Sequence, residues 1–90
     1  MSKAYWISIY QKINDPDKLA AYAALAGPAI IAGGGKFIVR GMPAKTYEAG
    51  VNERTVVIEF DSVDAAIATH DSPGYAAALV ALDGGAIREI

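Results

Sequence analysis

The side chains best suited to moving a proton are Glu59 and His70. His70 is the only imidazole in the chain, and an unperturbed imidazole titrates near neutrality. It falls near a helix end beside Asp71, where the dipole favours a positive charge. Glu59 lies in the run Arg54-Thr-Val-Val-Ile-Glu-Phe60. Partial burial raises the pKa of a carboxyl, which suits a general base. Arg40 and Arg54 are the candidate anchors for a ligand carboxylate. Arg40 is expected opposite Glu59, across a hairpin closed at Ala49-Gly50. Trp6, Ser8, Tyr10 and Tyr75, with Tyr22 and Tyr47, offer rings and hydroxyls to a ring-bearing ligand. Each also has a plainer account. Arg40 and Glu59 can be a cross-strand ion pair that fixes register, Arg54 a strand-end charge, His70 a surface histidine, and the aromatics core or interface. One histidine and no cysteine leave only scattered carboxylates, so no metal is expected, and nothing calls for a cofactor. Gly33-Gly34-Gly35-Lys36 is not a phosphate loop, because it follows a helix and Lys36 precedes Phe37 rather than Ser or Thr.

The elements that must position these residues follow from periodicity. Ala4 to Tyr10 alternates Tyr5/Ile7/Ile9 against Trp6/Ser8/Tyr10 and reads as a strand. Asp15 can cap a helix with Pro16 at its first position. Leu19, Tyr22/Ala23, Ala26 and Ile30 then recur at helical spacing. Gly27-Pro28 is expected to kink or restart that helix, and the glycine triplet to end it. Lys36 to Gly41 is a second strand, resuming after Pro43 through Lys45-Thr-Tyr47-Glu48. Thr55 to Phe60 is the third, with Val56/Ile58/Phe60 on its apolar face. Asp61 or Ser62 caps a second helix carrying Val63, Ala66, Ile67 and His70 on one side; it breaks at Asp71-Ser72-Pro73 and continues through Ala76, Leu79, Val80 and Leu82. Ala86 to Ile90 is short and begins a last strand.

The order β-α-β-β-α-β is the ferredoxin-like arrangement, an α+β fold with an antiparallel sheet and both helices on one face. Residues 1–90 form a single domain without linker or repeat. With Tyr5/Ile7/Ile9 and Val56/Ile58/Phe60 taken as helix-facing, the open face is expected to show Trp6, Ser8, Tyr10, Ile38, Arg40, Val57 and Glu59. That mixture suits a ligand cavity between two stacked sheets. The composition is 53% hydrophobic, and in so short a chain we assign the excess to an interface with a second copy. A net charge of −2 without a basic run gives no support to nucleic-acid binding, and the strand-three aromatics of RNA-binding domains are missing. No stretch of about 18 apolar residues and no leader is present, which predicts a cytoplasmic protein with no membrane partner.

Arg54-Thr-Val-Val-Ile-Glu-Phe60, Ser62 and Ser72-Pro73-Gly74-Tyr75 resemble the Domain of Unknown Function 1330 family. Tyr5-Trp6, Tyr22, Pro28, Gly34-Gly35-Lys36-Phe37 and Arg40-Gly41 are similar to its earlier segments. The resemblance implies a ferredoxin-like subunit of the dimeric α/β-barrel superfamily, in which two sheets stack face to face. It implies no established reaction. His70 stands where the family commonly has an aromatic residue such as tyrosine, and the chain stops at Ile90 where members often continue. Superfamily relatives include isomerases and monooxygenases of small, often aromatic or quinoid molecules. The function expected is therefore that of a homodimer binding a small aromatic or carboxylate molecule, either as a cofactor-free enzyme or as a non-catalytic binding or interaction dimer.

Overall fold

The computed structural model describes residues 2–90, and Met1 lies outside them. The elements are β1 (Ala4–Ile13), α1 (Pro16–Ala32), β2 (Lys36–Gly41), β3 (Thr55–Phe60), α2 (Val63–His70), α3 (Pro73–Leu82) and β4 (Ala86–Glu89). The four strands form one antiparallel sheet in the order β2-β3-β1-β4, the ferredoxin-like topology. The second helix of that pattern is split into α2 and α3, and β4 is the short last strand. No helix among the described residues is long and apolar enough to cross a membrane.

Each helix starts where a side chain can accept from its free amides. The Asp15 carboxylate accepts from the amides of Asp17 and Lys18, Ser62 from Ala65, and Ser72 from Tyr75. Pro16 and Pro73 occupy first-turn positions that need no donor. The expected break at Pro28 is absent, and α1 runs through it unbroken. Pro28 and Ala24 are both exposed, so the Ala24 carbonyl left without a donor faces water. After Ala32 the chain turns through Gly34 at φ +92°. A Cβ on Gly35 would stand 2.5 Å from Ile30 and 2.8 Å from Phe60, so glycine there lets the turn press onto the core.

Under the helices the core is dense. Tyr22, Ala26 and Ile30 of α1 and Tyr75, Ala78 and Leu82 of α3 cover Val56, Ile58 and Phe60 of β3. Burying an Ile or Phe side chain stabilises by roughly 1.5–3 kcal/mol, so these residues carry much of the fold. On α2 the buried residue is Thr69, while Val63 and Ile67 are exposed; on α3 Val80 is exposed as well. The apolar stripes expected on these helices are therefore rotated towards Thr69 and Tyr75. Thr69 fits because its hydroxyl donates back to the Ala65 carbonyl.

Two strands are placed differently from expectation. On β1 the faces are exchanged: Ala4, Trp6, Ser8 and Tyr10 are buried under the helices, and Tyr5, Ile7 and Ile9 are on the open face. Trp6 pairs with Ile58 and Ser8 with Val56, while Ile7 pairs with Val57. The indole does not need water, because the Trp6 Nε1–H donates to Ser8 Oγ at 3.1 Å within the core. The β2–β3 register also differs, since Lys36 lies opposite Glu59 and Arg40 opposite Val56. A bulge between Phe37 and Val39 inserts one residue, and the chain leaves the sheet at Gly41 instead of resuming at Lys45. A turn at Tyr47–Gly50 closes a loop outside the sheet, not a tight hairpin. Arg40 and Glu59 therefore occupy opposite faces.

Candidate functional site

The exchange of faces on β1 moves the candidate cavity with it. A cleft of ≈ 330 Å³ opens between α1 and the helix-covered side of the sheet. Its apolar body comes from Leu19, Ala23 and Ile30 of α1 and from Phe37, Val56 and Ile58 of the sheet. Around that body stand Ser8, Tyr10 and Tyr22 with three arginines, Arg40, Arg54 and Arg88.

Strand pairing explains how the arginines converge. Tyr10 lies opposite Arg88 on β4, and its amide donates to the Arg54 carbonyl at 3.0 Å. Arg54, Tyr10 and Arg88 thus form a row across the sheet on one face, with Arg40 beside it opposite Val56. The Arg40 guanidinium lies 4.0 Å from the centre of the Phe37 ring, and that of Arg88 lies 4.7 Å from Tyr22 and 5.5 Å from Tyr10. Among the described residues, no carboxylate approaches any of the three within ion-pair distance. A cleft edged by unpaired guanidinium groups attracts an anion and offers it bidentate hydrogen bonds.

One side of the cleft is held by a hydrogen-bonded set. Arg88 Nη1 donates to the Tyr22 hydroxyl at 3.0 Å, and the Tyr22 and Tyr75 hydroxyls are 2.7 Å apart. Burial pushes the Tyr75 phenol well above the ordinary tyrosine value, with the Tyr22 bond adding to the effect. For Arg88, burial works against the charge, but its bond to Tyr22 and the surrounding phenols outweigh it, and the guanidinium stays protonated.

The expected site residues divide into three groups. Ser8, Tyr10, Arg40 and Arg54 line the cleft. Trp6 and Tyr75 stand behind it: Tyr75 is fully buried, and its ring meets Trp6 edge-on at 4.8 Å. Glu59 and His70 are not brought together. Glu59 is on the open face, 3.6 Å from Lys3 Nζ. His70 is on the helix side, its ring 5.2 Å from Trp6 and 5.1 Å from Tyr75, with Nδ1 at 3.1 Å from Asp71. Neither lines the cleft. Arg88 escaped the sequence reading because the last strand was assigned no faces, although Ala86/Arg88 against Ile87/Glu89 is an alternating pattern that carries them. No three metal-ligating side chains gather among the described residues.

The model of the family described as "Domain of unknown function (DUF1330)" matches residues 3–90. No curated protein is similar enough to match the chain. Among solved structures, the RPA0582 protein of unknown function from Rhodopseudomonas palustris is similar with a TM-score of 0.68 and 21% identity, over 97% of this chain and 80% of that one. A methylated RPA0582 protein is similar with a TM-score of 0.68 and 20% identity, over 97% of this chain and 78% of that one. At these identities the likeness shows the shared fold.

Proposed function

The chain belongs to the DUF1330 family, and on that premise we propose that it binds a small organic carboxylate in the cleft beneath α1, as one subunit of a homodimer. The observation that carries this is the set of three arginines, without carboxylate partners among the described residues, edging a cleft with an apolar body. A guanidinium left without a partner is the group an incoming carboxylate completes, and Arg supplies it in bidentate geometry. The apolar wall of Phe37, Val56 and Ile58 suits an aromatic or aliphatic body attached to that carboxylate. The volume is at the low end for ligand pockets, about 300–1000 Å³, which favours a small molecule.

The dimer accounts for the other side of the sheet. Tyr5, Ile7, Ile9, Val39 and Ile87 are all large, apolar and exposed there. A patch of this kind favours burial against a second copy, sheet face to sheet face. Proton exchange between Glu59 and His70 draws no support from their places on opposite sides of the sheet, so ligand binding is preferred to catalysis by that pair.

Calorimetric titration with benzoate and with neutral benzamide tests the cleft. Benzoate is expected to bind more tightly by about tenfold or more, and Arg54→Met or Arg88→Met to remove most of that difference. Equal affinity for the two compounds would reject the anion site.

A further inference from the structure

Tyr75 is fully buried, and its hydroxyl meets Tyr22 at 2.7 Å. Two phenolic protons arrive at this contact, and the bond uses one of them. If Tyr22 were the donor, the proton of Tyr75 would be left among the rings of Trp6 and His70, with no acceptor in its hydrogen-bonding set. A buried donor without a partner is the costlier arrangement, so Tyr75 donates and Tyr22 accepts. Arg88 Nη1 donates to the same Tyr22 oxygen at 3.0 Å. A phenol oxygen has two lone pairs, and both are then occupied. What Tyr22 has left is its own proton, and Tyr22 lines the cleft.

We propose that Tyr22 is a donor-only hydroxyl that, together with Arg88, selects a ligand oxygen able to accept hydrogen bonds without giving one, as a carboxylate or enolate oxygen does. This rests on the anion-binding cleft and adds the group that reads the anion's oxygen. The selection works by repulsion as well as attraction. An O–H or N–H placed at the same point meets a second donor from Tyr22 and a third from Arg88. The buried Tyr75 sets this polarity without touching the ligand: its single proton commits the Tyr22 oxygen to accepting and turns the remaining proton towards the cleft.

Benzoate titrations of the wild type, Tyr22→Phe, Tyr75→Phe and Arg88→Met test the assignment, together with the hydroxyl proton resonances in NMR spectra. Tyr22→Phe is expected to weaken benzoate by about tenfold or more, as for a bond to a charged acceptor, and Tyr75→Phe by less than about threefold, since Tyr22 keeps its proton. Saturation of the wild type with benzoate should bring out a downfield hydroxyl resonance that is absent from Tyr22→Phe and retained in Tyr75→Phe. Loosening of Arg88 alone would not produce that resonance. Unchanged affinity in Tyr22→Phe with tighter binding in Tyr75→Phe would overturn the proposal, because Tyr22 would then be spending its proton on Tyr75. Binding that depends on Arg88 and is indifferent to Tyr22 overturns this proposal and leaves the anion site standing. A wild type that does not bind benzoate overturns both.

Discussion

The two faces of the sheet divide the labour against first appearance. The face covered by helices carries the arginines, the hydroxyls and the cleft, while the uncovered face carries Ile7, Ile9, Val39 and Ile87. In a lone domain the polar groups would be outside and the aliphatic ones inside. The polar atoms deepest under the helices are partnered there: Trp6 with Ser8, Tyr75 with Tyr22, and Tyr22 with Arg88. The aliphatic groups on the other side stay exposed among the described residues. One face holds partnered polar groups beside a cleft; the other holds exposed aliphatic side chains.

Four substitutions or conditions break or sharpen this contrast. The largest effect is expected on the covered face, where Phe60→Ala should lower stability to urea by about 3–5 kcal/mol, as for other buried aromatics. Tyr5→Ala, on the open face and 53% exposed, should cost far less when measured on dilute monomer. Next is Ile7→Asp, which puts a charge in the middle of the uncovered face. It should give a monomer in sedimentation and remove roughly 1.5–3 kcal/mol of burial per copy, while leaving benzoate binding in place. Unchanged mass would show that this face is not the interface.

The third concerns alkaline pH. Tyr75 holds its proton above the ordinary tyrosine value because it is buried. Above about pH 10 the unfolded chain loses a proton that the folded chain keeps. The stability contributed by Tyr75 is therefore complete below that pH and is lost as pH rises towards the raised folded value, by up to about 1.4 kcal/mol per pH unit. Urea titrations at rising pH should show this slope, and Tyr75→Phe should flatten it. The smallest effect is expected at Glu59, whose neighbour Lys3 is half exposed. Glu59→Gln should change stability by no more than about 0.5 kcal/mol, and a double-mutant cycle should find no coupling between Glu59 and Arg40. Measurable coupling would restore the cross-strand pair.

The order of elements, the caps at Asp15 and Ser72, a cap at Asp61 or Ser62, the break at Asp71–Pro73 and the topology were legible in the sequence, because they depend on local chemistry. What was not legible was the side each strand turns to the helices. On β1 both alternating sets are bulky, and a period of two separates faces without saying which is inside. Only the internal partners, Ser8 for Trp6 above all, settle it, and those are contacts in space. On β2 a tight hairpin at Ala49-Gly50 would set Arg40 opposite Glu59, but the chain leaves the sheet at Gly41, and the bulge between Phe37 and Val39, invisible to a pattern of period two, brings Arg40 opposite Val56. For the site, Ser8, Tyr10, Arg40 and Arg54 were named for chemistry that suits the cleft, but in a cavity on the other side of the sheet. Arg88 needed only the alternation of β4 to be found.

The bulge in β2 is also a matter of parity. Lys36 and Phe37 pair with Glu59 and Ile58, and after the surplus residue Val39, Arg40 and Gly41 pair with Val57, Val56 and Thr55. Without that extra step Arg40 would fall opposite Thr55, on the side away from the cleft. A single inserted codon can thus carry a charged group through the sheet while every other letter of the strand stays the same. When relatives are aligned, a gap at Ile38 and a gap just after Arg40 spell nearly the same text but put the arginine on opposite sides. In this strand length is information, and homologues with one residue fewer before their arginine should be sorted by parity before they are compared by sequence.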